Sequence, residues 1–304
     1  MLARCLLAAV AALALAPVGR AQEANYTRTD DVIYGRKFGL AMTLDVFAPK
    51  YKERANGRGI VWCVSGGWVS NKAGGIGPGQ EFVNRGYTVF AVTHGSQPKF
   101  TVPEVLEDMH RAVRFIKANA KRYNVDPEKL GIAGGSAGGH LSLMQGCAPR
   151  PANRDSKDPV EQFSSKVAAV ACFYPPTDFL NYGKEGEIAL GSGTLRNFRP
   201  PFDFWEREKG TNKLVVIADE ERRKEIGKAI SPVYHASKDS APALIIHGDA
   251  DTLVPIQQAE LIIAKLKGNN VPCELAVRKG AAHGGPAFAN DAKTLADWFD
   301  KYLK

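Results

Sequence analysis

Five cysteines in 304 residues, none in a Cys-x-x-Cys pair, and no His-x-x-x-His spacing leave no ligand pattern for a metal. No metal site is expected. Long runs of like charge are also missing, because 40 Lys and Arg are interspersed with 32 Asp and Glu. The formal net charge of +8 is therefore spread out, which argues against a nucleic-acid tract and leaves an anionic substrate merely open. No internal repeat is visible, and nothing in the pattern indicates an oligomeric state.

The amino terminus reads as a signal peptide. Arg4 precedes an apolar run over 6–16, Pro17 breaks it, and Gly19-Arg20-Ala21 supplies small residues for cleavage after Ala21. That run is too short to span a bilayer, which takes about 20 apolar residues. Export to the periplasm or the exterior is expected, with no membrane span in the mature chain. Arg4 and Arg20 leave with the leader, so the net charge falls from +8 to +6. Cys63, Cys147, Cys172 and Cys273 remain in an oxidising compartment, and their pairing is not readable. Cys63 and Cys172 lie in apolar strand-like runs and read as buried free thiols.

Continuous apolar runs at 60–64, 87–92, 167–174 and 243–246 suit strands buried on both faces of a parallel sheet. Helical patterns over 102–123, 257–267 and 287–303 alternate with them. The expectation is one α/β domain over 22–304, mainly parallel and covered on both faces. Residues 177–239 interrupt the rhythm with Gly, Pro, charge and aromatics, too long for an ordinary connection. This stretch reads as a cap-like insertion with at least one helix near 219–229. Its Phe198, Phe202, Phe204 and Trp205 either stack on a substrate ring or form the insertion's own small core.

Gly134-Gly135-Ser136-Ala137-Gly138 fits G-x-S-x-G between a predicted strand and a predicted helix. A strand turning sharply into a helix has no room for side chains at the flanking glycines, and it exposes the hydroxyl. Ser136 is therefore the candidate nucleophile, and it needs a base. Of the six histidines, His283 stands alone in a small-residue loop after the last strand and before the last helix. His235 and His247 come before or inside the acid's loop. His94 reads as structural, His110 as a surface or groove residue, and His140 as packed in its helix. Asp251 and Asp249 compete as the acid that orients the base. Asp251 is preferred because it projects further along its loop, while Asp249 suits a turn cap. An oxyanion needs preorganised N–H donors. Ala137 offers one, and Gly67 or Trp68 in Ser65-Gly66-Gly67-Trp68 offers the second.

These motifs resemble the α/β-hydrolase family, and most of all its esterase branch of small carboxylesterases, acetyl-xylan esterases and feruloyl esterases. The resemblance covers residues 134–140, 247–255 and His283-Gly284, and extends over essentially the whole mature chain. It implies an eight-stranded, mostly parallel sheet, no cofactor, and ester hydrolysis through an acyl-enzyme. The expected substrate is a small-molecule or carbohydrate ester with a short-chain or aromatic acyl group, without nucleic acid as a partner. The family's oxyanion motif usually begins His-Gly-Gly, and Ser65 takes the place of that His here. A prolyl-oligopeptidase-like peptidase is the alternative hydrolase, but the chain has no room for that group's propeller. A silent ligand-binding homologue is the other, and the intact Ser136, Asp251 and His283 set speaks against it.

Overall fold

The computed structural model describes residues 24–72, 76–211 and 213–304, so the expected leader lies outside the described residues. Eight strands form the central sheet: β1 (Tyr26–Lys37), β2 (Leu40–Pro49), β3 (Gly59–Cys63), β4 (Thr88–Val92), β5 (Leu130–Gly135), β6 (Ala169–Phe173), β9 (Ala243–Gly248) and β10 (Cys273–Arg278). A separate hairpin pairs β7 (Trp205–Arg207) with β8 (Leu214–Val216). The sheet order is β1-β2-β4-β3-β5-β6-β9-β10. β1 and β2 are antiparallel to their neighbours, and every pair from β4 to β10 is parallel. The fold is the eight-stranded α/β-hydrolase arrangement that the family resemblance implied.

Strand periodicity sends alternate residues to two cores. Val61, Phe90, Val92, Ile132, Val170 and Ile245 face one side. There they meet Val105, Met109, Val113 and Ile116 of α2 (Val102–Ala118), Leu141 of α3 (Ala137–Cys147), and Ile262 and Leu266 of α5 (Gln257–Gly268). Ile60, Val89, Ala91, Ala133, Ala171, Phe173 and Ile246 face the other side. They pack under Phe82 and Val83 of α1 (Gly79–Asn84) and Leu295 and Phe299 of α6 (Asp291–Tyr302). Two buried layers explain why these strands read as unbroken apolar runs.

Helix α2 opens with a capping box in which Thr101 and Glu104 satisfy each other's amides, and Pro103 sits in its first turn. It stops at Ala118, earlier than the pattern suggested, and a 3₁₀ turn carries the chain to Tyr123. α1 was not anticipated, being only six residues between Gly-rich turns. Residues 177–239 hold short 3₁₀ turns, the β7–β8 hairpin and α4 (Glu220–Ala229), whose Asp219 side chain caps the Arg222 amide. Among the described residues no helix is long and apolar enough to cross a membrane.

Candidate active site

Three loops converge at the carboxyl ends of β5, β9 and β10, with β6 lying between β5 and β9. Ser136 follows β5, and residues 251 and 283 follow β9 and β10, which pair in register from Cys273↔Ala243 to Arg278↔Gly248. Ser136 has φ 54° and ψ −120°, a strained conformation for a residue with a side chain. Backbone closeness enforces it. A Cβ on Gly134 would lie 2.6 Å from the Gly138 backbone, and one on Gly138 would lie 2.7 Å from the Cys63 carbonyl oxygen. The flanking glycines therefore let the elbow close against β3.

The Ser136 hydroxyl donates to His283 Nε2 at 2.9 Å, and His283 Nδ1–H donates to Asp251 Oδ2 at 2.7 Å. The carboxylate can only accept, which sets the tautomer. Asp251 is buried, with its Oδ1 accepting the Leu253 amide at 3.0 Å and the Val254 amide at 2.8 Å. Burial opposes its ionisation, but the hydrogen bonds from His247, His283 and the Val254 amide outweigh that and hold it well below the usual carboxylate range. Asp249, the competing acid, instead accepts the Gly280 amide at 2.6 Å and caps a turn.

The loop bearing Gly67 and Trp68 is a tight hairpin. Gly66 and Val69 exchange both backbone hydrogen bonds, at 3.0 and 2.9 Å, and the two residues between them have φ 55° and 59°. Positive φ at both central positions is the geometry of a type I′ turn. The Trp68 side chain is buried, its indole N–H donating to His140 Nδ1 at 3.2 Å, while His140 Nε2–H donates to the Ile230 carbonyl at 2.7 Å. His140 lies one turn after Ser136, so it ties the hairpin to the helix that Ala137 begins. The Ala137 amide belongs to a helix's first turn, which has no intrahelical acceptor. Ser65 is anchored by an unexpected partner: its hydroxyl donates to His94 Nε2 at 2.8 Å, and His94 Nδ1–H donates to Gly95 O at 2.6 Å.

Ser136 and His283 open into a groove of about 720 Å³, whose walls include Trp62, Gly67, Tyr174, Phe198 and Leu253. The aromatics of the insertion divide between two fates. Phe202 and Phe204 are buried, and Phe202 packs edge-on against Trp68 with ring centroids 5.0 Å apart. Phe198 reaches the groove, and Trp205 is half exposed elsewhere. Of the two places expected for His110, the structure gives the groove and not the open surface: it lines a depression with Leu106 and Met144 while largely buried and hydrogen-bonded to Ser165 at 2.9 Å, because the apolar face of α2 is wide enough to carry it inward.

Three contributors were missed. The Tyr174 ring packs on His283 with centroids 4.5 Å apart, and Trp62 walls the groove. Their signal was a position at the end of β3 and just past β6, the strands flanking β5. His247 Nε2 lies 3.4 Å from Asp251 Oδ2 and 2.8 Å from Val254 O. Its signal was a place near the end of β9, four residues before Asp251. The four cysteines Cys63, Cys147, Cys172 and Cys273 are free thiols, the first three of them buried.

The BD-FAE family model matches residues 44–266, a span that includes Ser136 and Asp251 and stops before His283. The chain is similar to the probable carboxylic ester hydrolase LipM of Mycobacterium tuberculosis, with 28% identity over 247 residues. That alignment takes in 80% of this chain and 52% of the relative, and other curated mycobacterial esterases give shares of 57% and 53%. The chain thus spans about half the length of the curated relatives it matches. Among solved structures, a truncated carbohydrate esterase from gut microbiota superposes with a TM-score of 0.74 and 24% identity, over 93% of this chain and 98% of that one. An acetyl ester-xyloside bifunctional hydrolase from Caldicellulosiruptor lactoaceticus gives 0.70 and 21%, over 89% and 95%. With the match running through most of the sheet and both loops after β5 and β9, the chain belongs to the BD-FAE family, in the esterase branch of the α/β-hydrolases.

Proposed function

We propose that the chain hydrolyses carboxylic esters in two steps through an acyl-enzyme on Ser136. The observation that carries this reading is the hydrogen-bonded series from Ser136 through His283 to Asp251 at the mouth of an open groove. His283 Nε2 takes the hydroxyl proton as Ser136 Oγ attacks the ester carbonyl carbon. Asp251 stays ionised, holds Nδ1 protonated and stabilises the imidazolium. The amides of Ala137 and of Gly67 or Trp68 receive the oxyanion. The imidazolium then gives its proton to the leaving alcohol oxygen, and the C–O bond breaks. Water, deprotonated by His283, attacks the acyl-enzyme; the bond from the acyl carbon to Ser136 Oγ breaks, the imidazolium returns its proton to Oγ, and the acid leaves.

Short acyl groups fit best. The insertion's one α-helix opens Glu220-Glu221-Arg222-Arg223-Lys224, a charged surface rather than an apolar lid over the groove. The names of the similar gut and Caldicellulosiruptor proteins support esters borne on carbohydrate. Export through the leader at 1–21 is part of the same proposal and rests on its charge and apolar pattern.

Hydrolysis of p-nitrophenyl acetate, butyrate and decanoate by the purified protein, beside Ser136→Ala, tests it. Acetate and butyrate should be preferred, and the variant should lose several orders of magnitude in kcat with its fold intact. Near-native turnover by Ser136→Ala would remove Ser136 from its role. Failure of folded protein on every ester would refute ester hydrolysis itself.

A further inference from the structure

The hairpin that offers Gly67 or Trp68 to the oxyanion is one that its own residues hold poorly. Both residues sit at positive φ, 55° and 59°, and Trp68 carries a large side chain there. Two backbone hydrogen bonds between Gly66 and Val69 close the turn. Donors aimed at an oxyanion act only if they are in place before the charge forms. Contacts from outside the hairpin must therefore keep it closed. The indole bond from Trp68 to His140 secures the tip but neither end.

Both ends are held by one short segment just past β4, residues 94–96. At the first end the Ser65 hydroxyl meets His94 Nε2 at 2.8 Å. At the second, the Ser70 amide donates to Ser96 Oγ at 2.7 Å, and the Ser96 hydroxyl donates to the Ser70 carbonyl at 3.1 Å. The His94 amide also donates to Ser70 Oγ at 3.3 Å. His94 Nδ1 lies 2.6 Å from the Gly95 carbonyl, which can only accept, so Nδ1 carries the ring proton and Nε2 accepts from Ser65. The segment is fixed in its turn. The Gly95 amide donates to Asp108 Oδ2 at 2.9 Å, and Lys37 Nζ of β1 donates to both Asp108 oxygens at 2.7 and 2.8 Å. A Cβ on Gly95 would lie 2.5 Å from the Phe100 ring, so the chain passes where no side chain fits. His94, Ser70 and Asp108 are buried, which strengthens each contact and penalises the loss of a partner. Ser65 is a wall of the groove that holds Ser136 and His94 is not, so the imidazole reaches the reaction through the hairpin.

We propose that His94 is the positioning residue of the oxyanion hairpin, acting through the Ser65 hydroxyl, with Asp108 and Lys37 holding the segment that carries it. The part in catalysis rests on the ester-hydrolysis reading, but the brace itself is measurable without any ester. Ser65→Ala removes one hydroxyl from a half-buried side chain, and it covers the case in which His94→Gln, in the core, fails to fold. The first readout is amide hydrogen exchange, followed by mass spectrometry on the peptide spanning 64–71. Each variant should speed exchange there about tenfold and leave the β5 peptide as in wild type. The second is steady-state kinetics on p-nitrophenyl acetate. An oxyanion donor lost outright costs about 10²–10³ in kcat, and a loosened one should cost about 10- to 100-fold. KM should stay within about twofold of wild type, because the charge forms only in the transition state. Both variants break the same bond, so their losses should not add in the double variant. Unchanged exchange at 64–71, kcat within about twofold of wild type in folded Ser65→Ala, a loss that lies in KM, or losses that add would overturn the assignment. Faster exchange at 64–71 in the variants of a protein that hydrolyses no ester would keep the brace and refute the esterase reading.

Discussion

Lowering the pH should unfold this protein through three buried histidines that stay neutral in the fold. His94, His110 and His140 have ordinary values near 6.5, and burial lowers them to about 4, 3 and 4. Each is held as a neutral ring, by Ser65 and Gly95, by Ser165, and by Trp68 and Ile230 respectively. Below pH 6.5 the unfolded chain binds a proton at each site, while the native protein does not until about pH 4. Stability therefore falls as pH drops through this window. Near pH 5 the difference approaches three protons, and at about 1.36 kcal/mol per proton per pH unit the slope is roughly 3–4 kcal/mol per unit. Asp251 and Asp158, both lowered, add loss of the same sign at more acid pH, and Asp108, raised by burial, works against it. A domain with about 5–15 kcal/mol of stability is exhausted within a few units. Urea unfolding followed by far-ultraviolet circular dichroism at pH 7, 6 and 5 measures the slope. His110→Gln should flatten it by about one proton's worth. A slope under about 1 kcal/mol per unit between pH 6.5 and 4.5 would refute the reasoning.

Asp251→Asn should lower kcat by about 10⁴ with little change in KM, since the amide cannot hold His283 in the working tautomer, whereas Asp249→Asn should cost far less. Steady-state kinetics on p-nitrophenyl acetate separates the two. Gly138→Ala places a methyl 2.7 Å from the Cys63 carbonyl and should cost about 1–3 kcal/mol or more, read as a drop in Tm. Burial pushes the Cys63 and Cys147 thiols up to about 12 and 11, so a disulfide-exchange reagent at neutral pH should leave them and Cys172 unmodified until urea is added. Their rapid labelling in native protein would contradict the packing.

Much of the site could be read directly from the chain, because its chemistry depends on local geometry. The glycines around Ser136 are there for a turn only a few residues long, and their clashes with Gly138 and Cys63 follow from that turn. His283 stood out because small residues surround it in a loop after a strand. Asp251 was separable from Asp249 by its place along a loop, and the amides of Leu253 and Val254 give that preference a physical cause. Unbroken apolar runs marked strands with two buried faces, so a mainly parallel covered sheet followed from periodicity alone.

What spacing could not convey is which distant groups meet. Ser65 finds its anchor in His94, a residue 29 positions on that lies just past the end of β4, and no local rule pairs them. Trp68 is pinned by His140 and flanked by Phe202, so the insertion supports the hairpin from behind. Phe202 and Phe204 carry the same composition signal as Phe198 and Trp205, yet only burial against other elements separates core from groove. His110 was turned inward by the packing of α2. The sequence by itself determined the sheet, the elbow and the three residues in series, since short-range sterics and periodicity encode them. The tertiary structure alone decided the walls of the cleft, the neutral buried histidines and the aromatic face beside His283, because each depends on contacts between segments far apart in the chain.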